Sequence, residues 1–413
     1  MHILIVPSWY PCSTQPIAGR FIFDQVISLS RLTDVQISVI NWGPNEWTLH
    51  VKQPLHSINL ICRYIMQEFR IERLTNNLSV YHLPHITWYS RIFQGNYPSL
   101  VLRIRKILSQ VVREQDNIDL IHAHNAFPAG YLAWQISQQL GIPYIITEHS
   151  GPFPFPEHIL RGSLRREVLL PLQQAAALIA VSSIVKSQMQ SYTNKDITIV
   201  PNQVDTAFFS VMDNQPQTQN ELTIFTLSWL TAEKGIGDLL RAYRMVLDKG
   251  LNAKLRIGGT GKGESRFKRL ANQLGLNEHI VWLGRLSRSE ALAEYQQCTF
   301  YVMPSRSESL SMVILEAMAC GKPVVATACG GPSDLVIEQT GILVEPANPT
   351  ALAQGIIDII YKLGIYSQQA IRHYCVSRYS PQVINAALMT VYQAVLADNP
   401  TVTIPTGHPI QEN

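Results

Sequence analysis

Short runs rich in Ile, Val and Leu alternate with helical patterns throughout the chain, and the alternation starts afresh near Leu222. The runs do not alternate strictly between polar and apolar residues, which is typical of parallel strands covered on both faces. A length of 413 residues is also enough for two or three domains. The sequence therefore predicts two α/β domains, with strands at 3–6, 35–40, 119–122, 144–147, 178–181 and 197–200 in the first and at 223–227, 254–257, 280–283, 299–303, 323–327 and 341–344 in the second.

The boundary between these domains is expected in a polar segment, 205–220, which contains Pro216 and has no apolar periodicity. We predict an N-terminal domain at 1–205 and a C-terminal domain at 206–380. A helix at 381–397 is expected to cross back to the first domain. The tail at 398–413 is rich in Pro, Thr and Asn and is expected to be disordered.

Composition excludes several classes of function. A net charge of +3 with 15% charged residues gives no general attraction to nucleic acid. The six Cys are far apart and form no C-x-x-C pair, which argues against a disulfide framework and a zinc site. The N-terminal apolar run is too short for a signal peptide, and no stretch of ~18 apolar residues could span a bilayer. We therefore expect a cytoplasmic protein that at most lies on the inner face of a membrane.

The region 63–113 carries many basic side chains, which leaves a peripheral membrane contact open. A helix at 99–114 would place an apolar stripe on one face with basic residues beside it. Such a helix could lie on an anionic membrane, although packing of the stripe against the sheet is the commoner arrangement in α/β domains. The stripe comprises Leu100, Ile104, Ile107, Leu108 and Val111, and the basic set comprises Arg63, Arg70, Arg73, Arg91, Arg103, Arg105, Lys106 and Arg113.

The most informative segment, 304–325, follows a predicted strand and contains Glu308 and Glu316. Ser311 is placed to cap a helix that ends at Gly321, so the preceding loop lies at the carboxyl edge of the sheet, where α/β folds bind ligands. A helix N-terminus there offers amide groups and a positive dipole end to a phosphate. The two carboxylates would then accept hydrogen bonds from neutral hydroxyls on either side, as a nucleotide sugar offers. Two surface glutamates on an ordinary helix are the alternative.

The segment continues as A-M-A-C-G-K-P-V-V at 317–325 and G-G-P at 330–332, and with these flanks it resembles the retaining glycosyltransferases of family four. The resemblance covers nearly the whole chain. It implies the GT-B fold, in which two Rossmann-like domains with parallel sheets face each other across a cleft. It also implies that Glu316 holds the nucleotide ribose and that Glu308 contacts the donor sugar, next to a donor-binding set at Ser309, Leu310, Ser311, Met312 and Val313.

A second segment, 227–235, resembles the Gly-Arg-Leu-x-x-x-Lys-Gly motif of the family and implies that Lys234 neutralises the leaving diphosphate. Trp229 stands where the family has arginine. Loss of one preorganised charge stabiliser costs ~3 kcal/mol, so either another cation substitutes or the enzyme is slow or inactive. The candidate cations are Arg285, Arg306 and Arg20. A solvated lysine at a helix start is the alternative for Lys234.

In the first domain, the resemblance assigns His124, in a His-x-His motif with His122, to the donor sugar or the reacting centre. Alternation along the strand puts both histidines on one side, and His122 is expected to pack internally. Glu148 and His149 end another strand and are candidates for orienting the acceptor hydroxyl. Gly19 lies in a loop that approaches the donor phosphate in the family. Metal ligation and a purely structural role are the alternatives for the histidines, but no further ligand lies at metal-binding spacing.

Two further loops of the second domain complete the expected donor site. The G-G-T-G-K-G turn at 258–263 follows a strand but does not match a dinucleotide motif, so Lys262 lies either near the phosphates or on a plain surface turn. Arg285 ends another strand, at the position where members of the family contact the nucleobase of the donor.

The implied function is retaining, metal-independent transfer of a hexose from a nucleoside diphosphate sugar to an acceptor hydroxyl, expected in polysaccharide or surface-glycan synthesis. No cofactor is expected, and glycan, lipid-linked and small-molecule acceptors remain open. A nucleotide-sugar epimerase on the same fold and a catalytically weak nucleotide-sugar-binding protein are the alternatives. A pyridoxal-dependent phosphorylase would need a Schiff-base lysine, for which the sequence offers no recognisable context. The sugar, the nucleotide and the oligomeric state are left open.

Overall fold

The computed structural model describes residues 1–12, 15–43, 54–66, 68–87, 96–115, 117–212 and 222–399. The chain divides into two compact units. The first unit comprises Met1–Ala180, Lys186–Val200 and the chain from Asn385, and the second comprises Val181–Val185 and Pro201–Ile384. Each unit holds a mainly parallel sheet, which confirms the predicted α/β class with two domains.

The first unit is built on a sheet of eight strands, counted over the described residues. The strands of this unit are β1 (His2–Pro7), β2 (Gln36–Asn41), β3 (Arg70–Thr75), β4 (Leu78–His82), β5 (Leu120–His124), β6 (Tyr144–Glu148), β7 (Ile159–Leu160), β8 (Ser163–Leu164), β9 (Ala177–Ala180) and β10 (Ile197–Ile199). The sheet order is β10-β9-β6-β5-β1-β2-β4-β3, and β7 and β8 form a separate hairpin. All neighbours in the sheet are parallel apart from β3 and β4.

The antiparallel pair of β3 and β4 at the sheet edge is not predicted by the sequence pattern. β3 reads R-I-E-R-L-T and is mostly exposed, so it lacks the apolar run that marks the central strands. By contrast, every residue of the central strand β1 is buried. Charged side chains on an edge strand discourage pairing with other chains, which explains why this strand is so polar.

The helices of the first unit include one whose placement decides between the two interpretations of the basic region. They are α1 (Arg20–Leu29), α2 (Pro54–Ile65), α3 (Tyr97–Gln115), α4 (Tyr131–Leu140) and α5 (Arg166–Gln174), while α6 (Ser183–Gln190) begins in the second unit and ends in the first. The apolar stripe of α3 is buried, with each of its five predicted residues at most 7% exposed. Arg103 on the same helix donates to the Pro84 carbonyl oxygen at 2.8 Å. The stripe of α3 is therefore part of the core of the first unit.

The second unit has a six-stranded, all-parallel sheet within the part of the chain that is described. Its strands are β11 (Leu222–Leu227), β12 (Ala253–Gly258), β13 (Ile280–Gly284), β14 (Phe300–Met303), β15 (Val324–Thr327) and β16 (Gly341–Val344), in the order β13-β12-β11-β14-β15-β16. Its helices are α7 (Ile236–Asp248), α8 (Glu264–Gln273), α9 (Arg288–Gln297), α10 (Met312–Ala319), α11 (Pro332–Leu335), α12 (Pro349–Tyr361) and α13 (Gln368–Tyr379). The loops after β11, β14 and β15 share one edge of the sheet, because parallel strands end on the same side.

The first half of the predicted connection at 205–220 packs against the second unit. Residues 205–212 belong to the second unit, where Phe209 is 2% exposed and Arg372 of α13 donates to the Phe209 carbonyl oxygen at 3.0 Å. A polar sequence conceals this packing, because a few buried anchors suffice to hold a loop. Residues 213–220 of the predicted connection lie outside the described residues.

The last helix, α14 (Pro381–Asp398), belongs to the first unit from Asn385 onwards. Ser28 of α1 donates to Asn385 Oδ1 at 3.0 Å, and Tyr392 of α14 is fully buried. The predicted tail lies, from residue 400 on, outside the residues that are described. Among the described residues, no helix is both long enough and apolar enough to cross a bilayer.

Candidate active site

The two predicted glutamates lie at the carboxyl edge of the second sheet, where main-chain contacts fix the loop between β14 and α10. Glu308 forms a parallel bridge with Gly330, and the Gly331 amide donates to the Glu308 carbonyl oxygen at 3.0 Å. A Cβ at Gly331 would overlap the Ser309 carbonyl oxygen, so only glycine lets the two segments approach this closely. The G-G-P stretch therefore positions Glu308.

Lys234 and Glu308 form an ion pair, with 2.6 Å between Nζ and Oε1. Ser305 Oγ donates to the same carboxylate oxygen at 2.8 Å. The side chains of Lys234 and Glu308 are 26% and 15% exposed, so the pair is partly shielded from water. The structure thus brings together two residues that are far apart in the sequence and that were each predicted separately.

Lys234 is positioned by the turn that carries it. Gly235 has a φ of 66°, a left-handed value typical of glycine, and a Cβ there would overlap the Pro304 carbonyl oxygen. The Arg306 amide donates to the Glu233 carbonyl oxygen at 2.8 Å. These two contacts join the turn at 232–235 to the loop after β14, which fixes Lys234 beside Glu308.

Glu316 lies on α10 and has a partner that the sequence does not reveal. Tyr295 of α9 donates from its hydroxyl to Glu316 Oε2 at 2.8 Å. Tyr295 is fully buried, and burial together with the Glu316 charge raises the pKa of Tyr295 well above its ordinary value. Tyr295 therefore stays protonated and holds one carboxylate oxygen of Glu316, which makes it a positioning residue. No sequence signal connects these two residues, because α9 and α10 are separated by a strand.

Ser311 precedes α10 but does not form the predicted cap. Its backbone is left-handed (φ 96°), and its side chain makes no capping hydrogen bond. The Oγ atom is buried and has no hydrogen-bond partner among the residues that the structure describes. The first amides of a helix also have no intrahelical acceptor. The start of α10, with Met312 and Val313 half-buried, therefore offers several unsatisfied donors, while the side chain of Leu310 is buried in the core.

Trp229, at the position of the family arginine, is 55% exposed. Its loop rests on the glycine turn after β12, where the Leu230 amide donates to the Thr260 carbonyl oxygen at 2.9 Å. A Cβ at Gly259 would overlap the Ser228 carbonyl oxygen, so the glycine is required by packing. The turn at 258–263 thus supports the segment that leads to Lys234. Lys262 on this turn is exposed.

The three cations considered as substitutes for the arginine differ in their surroundings. Arg306 donates from Nε and Nη2 to Asp238 Oδ2, at 3.0 and 2.8 Å. Arg20, in the first unit, forms an ion pair with Asp24 at 2.9 Å. Arg285 is exposed and makes no ion pair with any described residue. Of the three, Arg285 is the cation whose charge is not already matched.

The two histidines of the His-x-His motif end β5 and stack on one another, with ring centroids 4.3 Å apart, so they do point to the same side. His122 bonds to the Tyr392 hydroxyl (2.8 Å) and to Thr147 Oγ1 (2.7 Å), which supports the predicted internal packing. His124 Nδ1 lies 2.9 Å from His149 Nε2, and His124 Nε2 is buried without a described partner. Burial lowers the pKa of His122 to about 3 and, with the neighbouring histidines, holds the pKa of His124 well below its ordinary value.

Glu148 is 1% exposed and fixes the loop that follows β5. Its Oε1 accepts from Asn125 Nδ2 and from the Ser150 amide, both at 2.8 Å, and its Oε2 accepts from the Ala126 amide at 2.8 Å. Burial raises the pKa of Glu148, and these hydrogen bonds oppose the rise. Since both carboxylate oxygens are engaged, the geometry favours a positioning role for Glu148 over direct contact with an acceptor.

Gly19 starts α1 in the left-handed conformation, with a φ of 67°. A Cβ at this position would overlap the Trp9 carbonyl oxygen, so the loop after β1 needs a glycine for its own packing. Phe21, two residues later, contacts His149 with ring centroids 4.8 Å apart. The start of α1 therefore lies close to the histidine pair. Over the described ranges, no group of three or more His, Cys, Asp or Glu side chains is arranged to hold a metal ion.

Comparison with known proteins identifies the family. The model described as Glycosyltransferase Family 4 matches residues 54–208, and the model described as Glycosyl transferases group 1 matches residues 210–370. An uncharacterized glycosyltransferase of Methanocaldococcus jannaschii is 29% identical over 316 residues, which are 74% of this chain and 84% of that protein. TuaC of Bacillus subtilis, a putative teichuronic acid biosynthesis glycosyltransferase, is 26% identical over 369 residues, 86% of this chain and 88% of that protein.

Among solved structures, Anabaena HepE in complex with UDP has a TM-score of 0.67 at 20% identity, over 95% of this chain and 100% of that one. This likeness and the two parallel-sheet units define a protein with the GT-B fold. The two family models adjoin one another and together extend over most of the chain. The chain belongs to glycosyltransferase family 4, as the motif at 304–332 predicted.

Proposed function

We propose that this glycosyltransferase moves a hexose from a nucleoside diphosphate sugar to an acceptor hydroxyl with retention at the anomeric carbon. The observation that carries the proposal is the ion pair of Lys234 with Glu308. Glu308 lies in the same loop as Ser311, whose buried hydroxyl has no hydrogen-bond partner among the described residues. A cation, a helix N-terminus and a free hydroxyl form an anion site. The carboxylates of Glu308 and Glu316 flank that site and suit the hydroxyls of a sugar and a ribose.

The leaving diphosphate gains negative charge as the glycosidic bond breaks. Lys234 and the amides at the start of α10 stabilise that charge, and preorganised donors of this kind lower a barrier by several kcal/mol, with ~3 kcal/mol typical for one donor. When the diphosphate draws Lys234 away, Glu308 is released to accept from the donor sugar. We assign no nucleophile and propose a same-face displacement with oxocarbenium character. Because Lys234 and the amides carry the charge, we expect activity without a metal.

We assign His124 to the reacting sugar and His149 to the acceptor side, with Gly19 shaping the loop that starts α1. The low pKa of His124 keeps the ring neutral near pH 7. A neutral imidazole forms hydrogen bonds but supplies no positive charge, so His124 does not replace the missing family arginine. Arg285, which has no matched carboxylate among described residues, is the better candidate for that role.

The identity of the donor is supported by the comparisons. HepE was solved with UDP, which makes a uridine diphosphate sugar the first donor to test. TuaC is named as a putative glycosyltransferase of teichuronic acid biosynthesis, which supports a polysaccharide or surface-glycan pathway for this protein. Glycan, lipid-linked and small-molecule acceptors are all compatible with the exposed loops of the first unit.

We also propose a cytoplasmic location with peripheral contact to the inner face of a membrane. The support comes from α2 and the residue that follows it, where Ile58 is 59% and Met66 is 83% exposed. Arg70, four residues after Met66, is exposed as well.

Replacing Ile58 and Met66 by Ser should abolish sedimentation with vesicles that contain phosphatidylglycerol. A wild-type protein that does not sediment with these vesicles would contradict the proposal.

The central test combines binding and turnover. UDP, GDP and ADP are compared by their effect on the melting temperature, and the anomeric configuration of the product is read by NMR. We expect one nucleotide to raise the melting temperature, an α-linked product from an α-linked donor, and no loss of rate in EDTA. A catalytically weak binding protein is the second candidate, because Trp229 replaces the arginine. Nucleotide binding without turnover of any donor would select that candidate.

A further inference from the structure

The second unit contains a cavity of about 400 Å³ between α7 and α8. We call it the arginine pocket, because its lining includes Arg241, Arg266, Arg269 and Arg306, together with Asp238 and Phe267. Neither Lys234 nor the two glutamates of the candidate active site line it. The pocket has no place in the glycosyl transfer described above.

The charges around the arginine pocket are unbalanced. Among the described residues, Asp238 is the one carboxylate in the lining, against four guanidinium groups. It accepts two hydrogen bonds from Arg306 and lies 3.6 Å from Arg241. Over the described residues, Arg266 and Arg269 have no ion pair, since the nearby Glu264 is paired with Lys268 at 2.8 Å. The pocket therefore keeps an excess of positive charge.

The size and chemistry of the pocket indicate the class of ligand. Arginine presents a planar set of donors that matches phosphate in a bidentate manner. Small-molecule sites occupy roughly 300 to 1,000 Å³, a range that includes this cavity. Phe267 is 5% exposed and gives the pocket an apolar wall against which a sugar ring or a similar group can pack.

We propose that the arginine pocket is a second binding site, which takes a small soluble phosphate ester or diphosphate. Arg266 and Arg269 supply the unmatched charges, and Arg241 and Arg306 complete the ring of donors. Gly237 of α7 lines the pocket, and a Cβ there would make only ordinary contacts, 3.5 Å from Arg241 Nη1 and 3.6 Å from a Phe267 ring carbon. The pocket borders the turn that carries Lys234, since Ala232 and Gly235 also line it, but its arginines are not the residues assigned to the proposed donor site.

Calorimetric titration of inorganic pyrophosphate tests the proposal. Arg266→Gln combined with Arg269→Gln should weaken binding at least ~10-fold, because two charge-assisted contacts are lost. The matched control, Arg244→Gln with Lys249→Gln, removes the same charge from the end of α7 and should change the affinity less than ~2-fold. Equal losses in the two double variants would show unspecific attraction and would overturn the proposal.

Further variants separate this pocket from the donor site and from lipid. Lys234→Ala should retain pyrophosphate binding, and the Arg266 and Arg269 variant should retain nucleotide binding. Pyrophosphate binding that disappears with Lys234→Ala belongs to the donor site and refutes the pocket. The Gly237→Glu variant should fold normally, because glutamate is favourable near the start of a helix, and its side chain should block pyrophosphate binding.

Vesicles of phosphatidylglycerol are the lipid probe. Vesicle binding that depends on the two arginines, without pyrophosphate binding, would overturn the assignment to a soluble ligand.

Discussion

Tyr295→Phe tests whether Tyr295 positions Glu316 for the nucleotide. The substitution removes the hydroxyl that donates to Glu316 Oε2 at 2.8 Å. It keeps the ring, which packs on Phe225 with ring centroids 5.1 Å apart. A hydrogen bond to a charged group contributes ~1.5 to 3 kcal/mol, and water at the half-buried Glu316 replaces part of it, so we use ~1.5 kcal/mol. Since 1.4 kcal/mol is about tenfold in affinity, the nucleotide should bind up to ~10-fold more weakly.

The matched control for this variant is Tyr301→Phe. Tyr301 lies in the same ring cluster, but its hydroxyl donates to the Leu227 carbonyl oxygen at 3.1 Å and not to Glu316. Both variants are titrated with UDP by calorimetry, and urea denaturation checks that each one folds. Glu316→Gln combined with Tyr295→Phe should show no further loss beyond Glu316→Gln alone. Wild-type affinity in Tyr295→Phe, or equal losses in both tyrosine variants, would refute the positioning role.

Three other predictions concern the active site and stability. Lys234→Ala should cut turnover at least ~100-fold with an unchanged circular dichroism spectrum, whereas Lys262→Ala should change it less than ~3-fold. Gly331→Ala should lower turnover, measured at saturating donor, because the new Cβ displaces the loop that carries Glu308. Between pH 6.5 and about 3, unfolded His122 binds a proton that folded His122 does not. The free energy of unfolding should therefore decrease by ~1 kcal/mol for each unit by which the pH is lowered. Urea denaturation at pH 7 and pH 5 should show this slope and a shallower one in His122→Asn.

The sequence was sufficient for features that depend on local patterns. Apolar runs mark the buried strands because each run reflects the burial of its own segment, and this predicted both parallel sheets. The motif around Glu308 and Glu316 was recognisable because the loop, the helix and the glycines are contiguous. These predictions needed no knowledge of which distant segments meet.

Features that depend on contacts between distant segments could not be predicted. Tyr295 reaches Glu316 from another helix, and Glu308 pairs with a lysine 74 positions away. Arg306 was a candidate for the donor phosphates, yet its guanidinium binds Asp238. Ser311 had a suitable position for a cap, but its backbone is left-handed and its side chain makes no capping hydrogen bond. In each case the surroundings of the side chain are determined by how the chain folds back on itself.

The loop between β14 and α10 is held mainly by its backbone, and this has a consequence for protein engineering. The amides of Arg306 and Gly331 and the carbonyl oxygens of Glu233 and Glu308 set its course. Side chains at 307 and 309 contribute none of these bonds. A combinatorial library at those two positions would therefore vary the chemistry beside the proposed donor site while the loop keeps its shape. These positions are suitable first sites for redirecting the enzyme to another donor.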